Sequence, residues 1–222
     1  MDQTERLASI QRKEAELNRR EAALRAQEID IDEGKEPNFP PLFHLVYHNI
    51  REDIPIRYQA FMRTTFIFFI AYVVTLFFNF FTCCFSGYIN SPSHHVGYYV
   101  IFSLVYFILG TILGFQLNYY RLYKMLKKSD IGISWIIFQI GIVIFCGVLA
   151  AGFINGGSMG VISMIDMLQR SQVLFPKVLA IIDAVLLILV AVSQAYIFIR
   201  GLTAYKSSAV PDSILTNHQT SA

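Results

Sequence analysis

The stretch TTFIFFIAYVVTLFFNFFTCCFSGYINSPSHHVGYYVIFSLVYFILGTILGFQLNYY, Thr64–Tyr120, contains no Lys, Arg, Asp or Glu. Fifty-seven consecutive uncharged residues, dense in Phe, Ile, Val and Leu, cannot make a water-facing surface. Two apolar runs, 64–89 and 96–117, flank the short polar turn Asn90–His95. Each run exceeds the roughly 20 residues that, at about 1.5 Å per residue, cross a hydrocarbon core of about 30 Å. Moving outward, the same criterion selects two further segments, 131–154 and 175–199. The expected fold is all-α: a four-helix transmembrane bundle over 64–199.

The remaining composition agrees. The chain has 222 residues, 55% hydrophobic and 15% charged, with mean hydropathy +0.48, whereas soluble domains carry about 45–50% apolar and about 25% charged residues. Of the 34 charged side chains, 22 precede Thr64, so a soluble single-domain enzyme is excluded. A net charge of +2 is too small to point to nucleic acid. Cys83, Cys84 and Cys146 fall inside apolar runs and read as small buried hydrophobes. No apolar h-region precedes Glu36, so the first span is expected to act as its own insertion signal.

Orientation follows from Lys and Arg in the flanks, since cytoplasmic loops carry the excess. Arg51, Arg57 and Arg63 precede the first span, and the first connection has no basic residue. The second carries Arg121, Lys124, Lys127 and Lys128, the third only Arg170, and Arg200 and Lys206 follow the last span. Both termini and the second connection are therefore expected in the cytosol, with Lys177 as the one dissenting charge. Residues 1–34 read as a charged helix, supported by the i,i+4 pairs Glu16/Arg20 and Glu21/Arg25. Ile10, Leu17, Leu24 and Ile31 recur every seven residues, but Glu14, Glu21 and Glu28 occupy companion heptad positions. A solvated helix and a weak coiled coil binding a partner or itself both remain open. Residues 35–63 form a Pro/aromatic pre-membrane segment, and 200–222 a polar cytosolic tail.

The second connection is the most informative stretch. At 100° per residue, Arg121, Lys124, Lys127 and Lys128 share one arc, while Tyr119, Leu122, Tyr123, Met125 and Leu126 fill the opposite arc. A short helix with an apolar, tyrosine-rich face and a basic face is expected to lie in the headgroup plane and bind anionic cytosolic-leaflet lipid, phosphoinositide or phosphatidylserine. Enforcing topology alone is the plainer role for those charges. Within the spans, Asp183 marks either a small transporter or channel, or a structural carboxyl hydrogen-bonded to a neighbour such as Gln139 or Asn79. Gly110 and Gly114 form a small-xxx-small pair for close packing within the bundle or between copies, which leaves a homo-oligomer open. His94-His95 lacks carboxylates nearby, and Asn155-Gly-Gly-Ser-Met-Gly lacks the Lys and preceding strand of a phosphate loop. No catalytic constellation, metal site or cofactor is expected.

Three motifs carry a resemblance. Asn38-Phe-Pro-Pro-Leu-Phe with Tyr47-His-Asn-Ile-Arg-Glu-Asp-Ile-Pro55, then Tyr119-Tyr-Arg-Leu-Tyr-Lys124, then Gly160-Val-Ile-Ser-Met-Ile-Asp166-Met-Leu resemble, in order, conserved segments of secretory carrier-associated membrane proteins. The resemblance covers nearly the whole chain. It implies a non-enzymatic protein of Golgi-derived vesicles, recycling endosomes and plasma membrane, acting in exocytosis, endocytosis and recycling. It also implies trafficking or fusion partners, met through the N-terminal helix, and a phosphoinositide-binding second connection. Tyr120, Arg121, Tyr123 and Lys124 match that connection's motif, and Lys127 and Lys128 extend it. The family's Cys-Trp before the Tyr-Arg pair is Asn118-Tyr119 here, and its following Pro is Leu122, which permits helix. A structural organiser of other membrane proteins is a further reading of four such spans.

Overall fold

The computed structural model describes residues 13–14, 16–20, 49–90, 96–129, 131–154 and 156–208. The chain divides into two units, 1–49 and 50–222. In the first, the described residues before Asn49 are helical, and Arg20 pairs with Glu16 at 2.7 Å. Of the heptad seam only Leu17 is described, and it is exposed; Ile10, Leu24 and Ile31, Asn38–Phe43, His94-His95 and the tail from residue 209 lie outside the described residues.

The second unit is helical throughout its regular structure, with no strand among the described residues. A single turn, α1 (Ile50–Asp53), precedes α2 (Ile56–Asn90). Next come α3 (Val96–Leu113), a π-helical segment (Gly114–Tyr119) and α4 (Tyr120–Lys127). The chain continues through α5 (Ile133–Ala151), α6 (Val161–Arg170) and α7 (Leu174–Ser208). Four helical runs are long and apolar enough to cross a membrane: Ile56–Ser86, Gly97–Lys127, Ile133–Ala151 and Leu174–Lys206. The expected all-α four-span architecture is therefore the observed one. In the third connection the structure adds α6, an amphipathic helix closed by an Asp166–Arg170 ion pair at 2.6 Å.

The bundle is apolar outside and carries its polar groups inside, as lipid demands. On α2, Ile67, Ile70, Val74, Phe77, Phe81 and Phe85 are exposed, whereas Thr65, Phe69, Tyr72, Leu76, Asn79 and Cys83 are buried. Both sets step by three or four residues, the spacing of one helix face. The buried polar groups tie elements together. Gln139 Nε2 donates to the Gln194 backbone O at 3.0 Å and to Gln194 Oε1 at 3.2 Å, linking α5 to α7. Tyr72 OH donates to the Gly110 carbonyl at 3.1 Å, linking α2 to α3. The Gly110/Gly114 pair thus serves packing inside the bundle: a Cβ on either glycine would meet the Tyr72 side chain at 2.9 Å.

At the end opposite α4, Gly152 (φ 68°) and Gly157 (φ 74°) let the chain turn from α5 towards α6. A Cβ on Gly157 would lie 2.8 Å from the Ser103 backbone N, so glycine is required by both conformation and contact. Asn79 holds this turn from α2: its Nδ2 donates to the Gly157 carbonyl at 3.0 Å, and its Oδ1 accepts from the Met159 N–H at 2.9 Å. Truncating Asn79 to Ala leaves the buried Met159 N–H without its acceptor, at about 1–3 kcal/mol, and the Gly157 carbonyl with only the weak Cys83 thiol donor at 3.5 Å. A loss of about 2 kcal/mol is expected, read as a lower detergent melting temperature with faster hydrogen exchange at Gly157 and Met159.

Candidate functional site

The second connection departs from a detached loop helix. Gly97–Lys127 is one helical run, because Leu122 stands where the resembled family has proline and the backbone continues without a break. The run is interrupted only in its winding. In the π segment the Tyr120 N–H reaches back to the Phe115 carbonyl, an i→i−5 bond that accommodates one extra residue. One extra residue turns everything beyond it by about 100° relative to α3. The π segment therefore sets which face α4 presents.

Two contacts hold that segment. The indole Nε1 of Trp135, the chain's single tryptophan and fully buried, donates to Asn118 Oδ1 at 2.9 Å. Its ring lies directly over Gly201 of α7, where a Cβ would sit 2.2 Å from indole carbons. A ladder of rings then runs along the buried side. Phe69 stacks on Tyr119 (5.3 Å between centroids), Phe115 on Tyr120 (5.7 Å), and Tyr120 on Tyr123 (6.3 Å).

The two faces read from the sequence are present. Tyr119, Leu122, Tyr123 and Leu126 are buried and Met125 is half-buried. On the basic side, Lys124 and Lys128 are exposed and Arg121 is half-buried. Lys124 Nζ lies 4.4 Å from the Tyr120 ring centroid, and Arg121 Cζ lies 4.9 Å over the Phe138 ring of α5. Aromatic faces so placed attract the cation by about 0.5–1 kcal/mol at exposed sites and orient it.

Tyr123 and Lys127 converge instead on one acid that sequence reading did not single out, Asp53 of α1. Tyr123 OH donates to Asp53 Oδ2 at 2.6 Å, and Lys127 Nζ lies 3.8 Å from Asp53 Oδ1. The Asp53 side chain is 6% exposed and that of Lys127 18%. A 70-residue separation is thereby closed by a charge-assisted latch between the pre-membrane turn and α4. Asp53 and Tyr123 lie inside the motifs Tyr47–Pro55 and Tyr119–Lys124, and Lys127 lies just beyond the second. The six sequence-predicted residues thus divide into Arg121, Lys124 and Lys128 on the open side, Tyr120 as a platform, and Tyr123 and Lys127 on the latch.

Asp183 is fully buried in α7, and neither carboxylate oxygen has a hydrogen-bond partner among the described residues. The expected bonds to Gln139 or Asn79 are not made: both ends of the Asn79 amide are engaged with Gly157 and Met159, and Gln139 Nε2 with Gln194.

Comparison with known proteins completes the picture. The model of the SCAMP family matches residues 36–208. Secretory carrier-associated membrane protein 4 of Arabidopsis thaliana is 29% identical over 175 residues, covering 74% of this chain and 62% of its own. Protein 3 of Oryza sativa subsp. japonica is 29% identical over 178 residues, covering 75% and 61%. Protein 1 of Sus scrofa is 30% identical over 146 residues, covering 62% and 42%. The chain spans about six-tenths of the length of the two plant relatives, and no solved structure matches it. With the match extending from the pre-membrane segment through all four spans, the chain belongs to the SCAMP family.

Proposed function

We propose that the chain is an integral membrane protein of vesicle trafficking, serving post-Golgi exocytosis, endocytosis and recycling in secretory-carrier, endosomal and plasma membranes. In this reading both termini and α4 face the cytosol, and the N-terminal helix meets trafficking or fusion proteins. Arg121, Lys124 and Lys128, with Tyr120 as their platform, make α4 a docking face for anionic lipid of that leaflet, while Tyr123 and Lys127 are held on the Asp53 latch. One observation carries the lipid assignment: Arg121 and Lys124 are oriented on aromatic rings and Lys124 and Lys128 are exposed, while Lys127 is held on Asp53. Topology alone asks for positive charge and not for its orientation on rings.

Each Lys or Arg near an anionic surface contributes about 1 kcal/mol, reduced by salt screening. Replacing Arg121, Lys124 and Lys128 together by Ala is expected to lower phosphatidylserine retention by the full chain, drawn from vesicles mixed with phosphatidylcholine, by about tenfold or more. Native mass spectrometry of the extracted complexes measures it. Retention equal to wild type with unchanged helicity would remove the lipid assignment. A second reading, a small transporter or channel, draws on the unpartnered Asp183 carboxyl. It requires solute flux in proteoliposomes that disappears in Asp183→Asn.

A further inference from the structure

The two spans on either side of α4, α3 and α5, pack chiefly on other helices, α3 on α2 and α5 on α7, and meet each other through the edge-on Tyr106–Phe145 ring pair, 5.8 Å between centroids. Between them lies an apolar slot of about 420 Å³. Val105, Leu109 and Leu117 line one wall, Phe138 and Phe145 the other, and Tyr72 closes the floor. Glycines keep it open. Gly110 and Gly114 lie against Tyr72, and Gly141 faces a space where a Cβ meets nothing within 4 Å. The hydroxyl of Tyr72 is already bonded to the Gly110 carbonyl.

Shape selects the occupant. Val105 to Leu117 covers about 18 Å at about 1.5 Å per residue, somewhat more than the depth of one leaflet, about half of a 30 Å core. A helix is about 10 Å wide, whereas the Tyr106 ring of α3 and the Phe145 ring of α5 stand only 5.8 Å apart between centroids, so a helix of a second copy does not enter between the two spans. A hydrocarbon chain does, and filling the slot restores dispersion contacts that an unfilled one forfeits. The slot also has a charged end. Phe138, one of its walls, lies beneath the Arg121 guanidinium at 4.9 Å, and Lys124 and Lys128 are exposed on the same α4. Basic pockets between spans are built to receive anionic headgroups.

We propose that one anionic glycerophospholipid of the leaflet on the α4 side sits between α3 and α5, an acyl chain in the slot and its phosphate against Arg121. This rests on the reading that α4 engages anionic lipid, and it adds a defined single-lipid site to the surface attraction of the exposed cations.

The test uses the full chain in phosphatidylcholine vesicles containing either phosphatidylserine or phosphatidylcholine with a photoactivatable group midway along one acyl chain. Labelled peptides are identified by mass spectrometry. The expected result is labelling of 105–117 and 138–145 at least about fivefold stronger with the phosphatidylserine probe. Gly141→Leu, which places a side chain in open space, is expected to lower that labelling at least about fivefold while total phosphatidylserine retention changes less than about twofold. Arg121→Ala supplies a readout that does not depend on filling the slot, and is expected to bring the phosphatidylserine label down to the phosphatidylcholine level. Unchanged labelling in Gly141→Leu, or equal labelling by both probes in wild type, overturns the site even where retention still prefers phosphatidylserine. Loss of that retention preference in wild type overturns the parent reading and this one together. Disulfide cross-linking of two chains through Gly141→Cys would place a second copy in the slot and also overturn it.

Discussion

Trp135→Ala is expected to destabilise the bundle by about 3–5 kcal/mol, the range for truncating a large aromatic in a packed interior. The indole fills the space over Gly201, where a Cβ would sit 2.2 Å from its ring carbons, and its N–H satisfies Asn118 in the π segment. At about 2–4 °C per kcal/mol for chains of this size, the detergent melting temperature should fall by roughly 10 °C. The loss should also reach α4: without its pin the π segment can rewind to α-helix, rotating Tyr123 away from Asp53 by about 100°. Trp135→Phe separates the two contributions. It keeps most of the ring and loses the hydrogen bond, so a loss of about 1–3 kcal/mol is expected from the orphaned Asn118 oxygen. Adding Asn118→Leu to Trp135→Phe should recover part of it, and a strictly additive double mutant would show that the bond is not the pin.

Asp53→Ala is expected to act in two opposite directions. Removing one partner from a fully buried ion pair costs about 3–5 kcal/mol. Lys127 retains 18% exposure, so a smaller loss of about 2–3 kcal/mol is expected, including the charge-assisted bond from Tyr123. Phosphatidylserine retention should rise at the same time, because Lys127 loses its Asp53 partner and adds up to about 1 kcal/mol of attraction, at most about fivefold. A variant less stable yet better at holding anionic lipid is the signature of a latch that restrains a basic residue. Thermal melts and lipid retention on the same preparation check both arms, and parallel losses in both would show Asp53 to be structural only.

The four spans were legible because the absence of charge over Thr64–Tyr120 admits no soluble fold. The two faces of α4 were legible for a related reason: a 3.6-residue period is local, and ten residues suffice to display it. Hydropathy marks where hydrocarbon is tolerated, while helix ends depend on backbone breakers. Hence α2 begins at Ile56, directly after Pro55, well before the charge-free stretch opens at Thr64. The π segment left no trace in composition, since Gly114–Tyr119 differs from its neighbours only in the bonding of its carbonyls. The Asp53 latch and the Trp135–Asn118 pin depend on tertiary contacts, and a period within one helix carries no information about them. Asp183 shows the limit from the other side: its depth was plain and its partners were not, since the Asn79 amide and the Gln139 Nε2 are bonded elsewhere.

The central claim is that oriented, exposed cations on α4 hold anionic lipid. Its most direct test is phosphatidylserine retention by the full wild-type chain as salt rises from about 0.1 M to about 1 M, where the screening length falls from about 10 Å to about 3 Å. The account predicts a preference over phosphatidylcholine that declines steadily across this range, with helicity unchanged. A preference that is absent at low salt, or that persists undiminished at high salt, would contradict it.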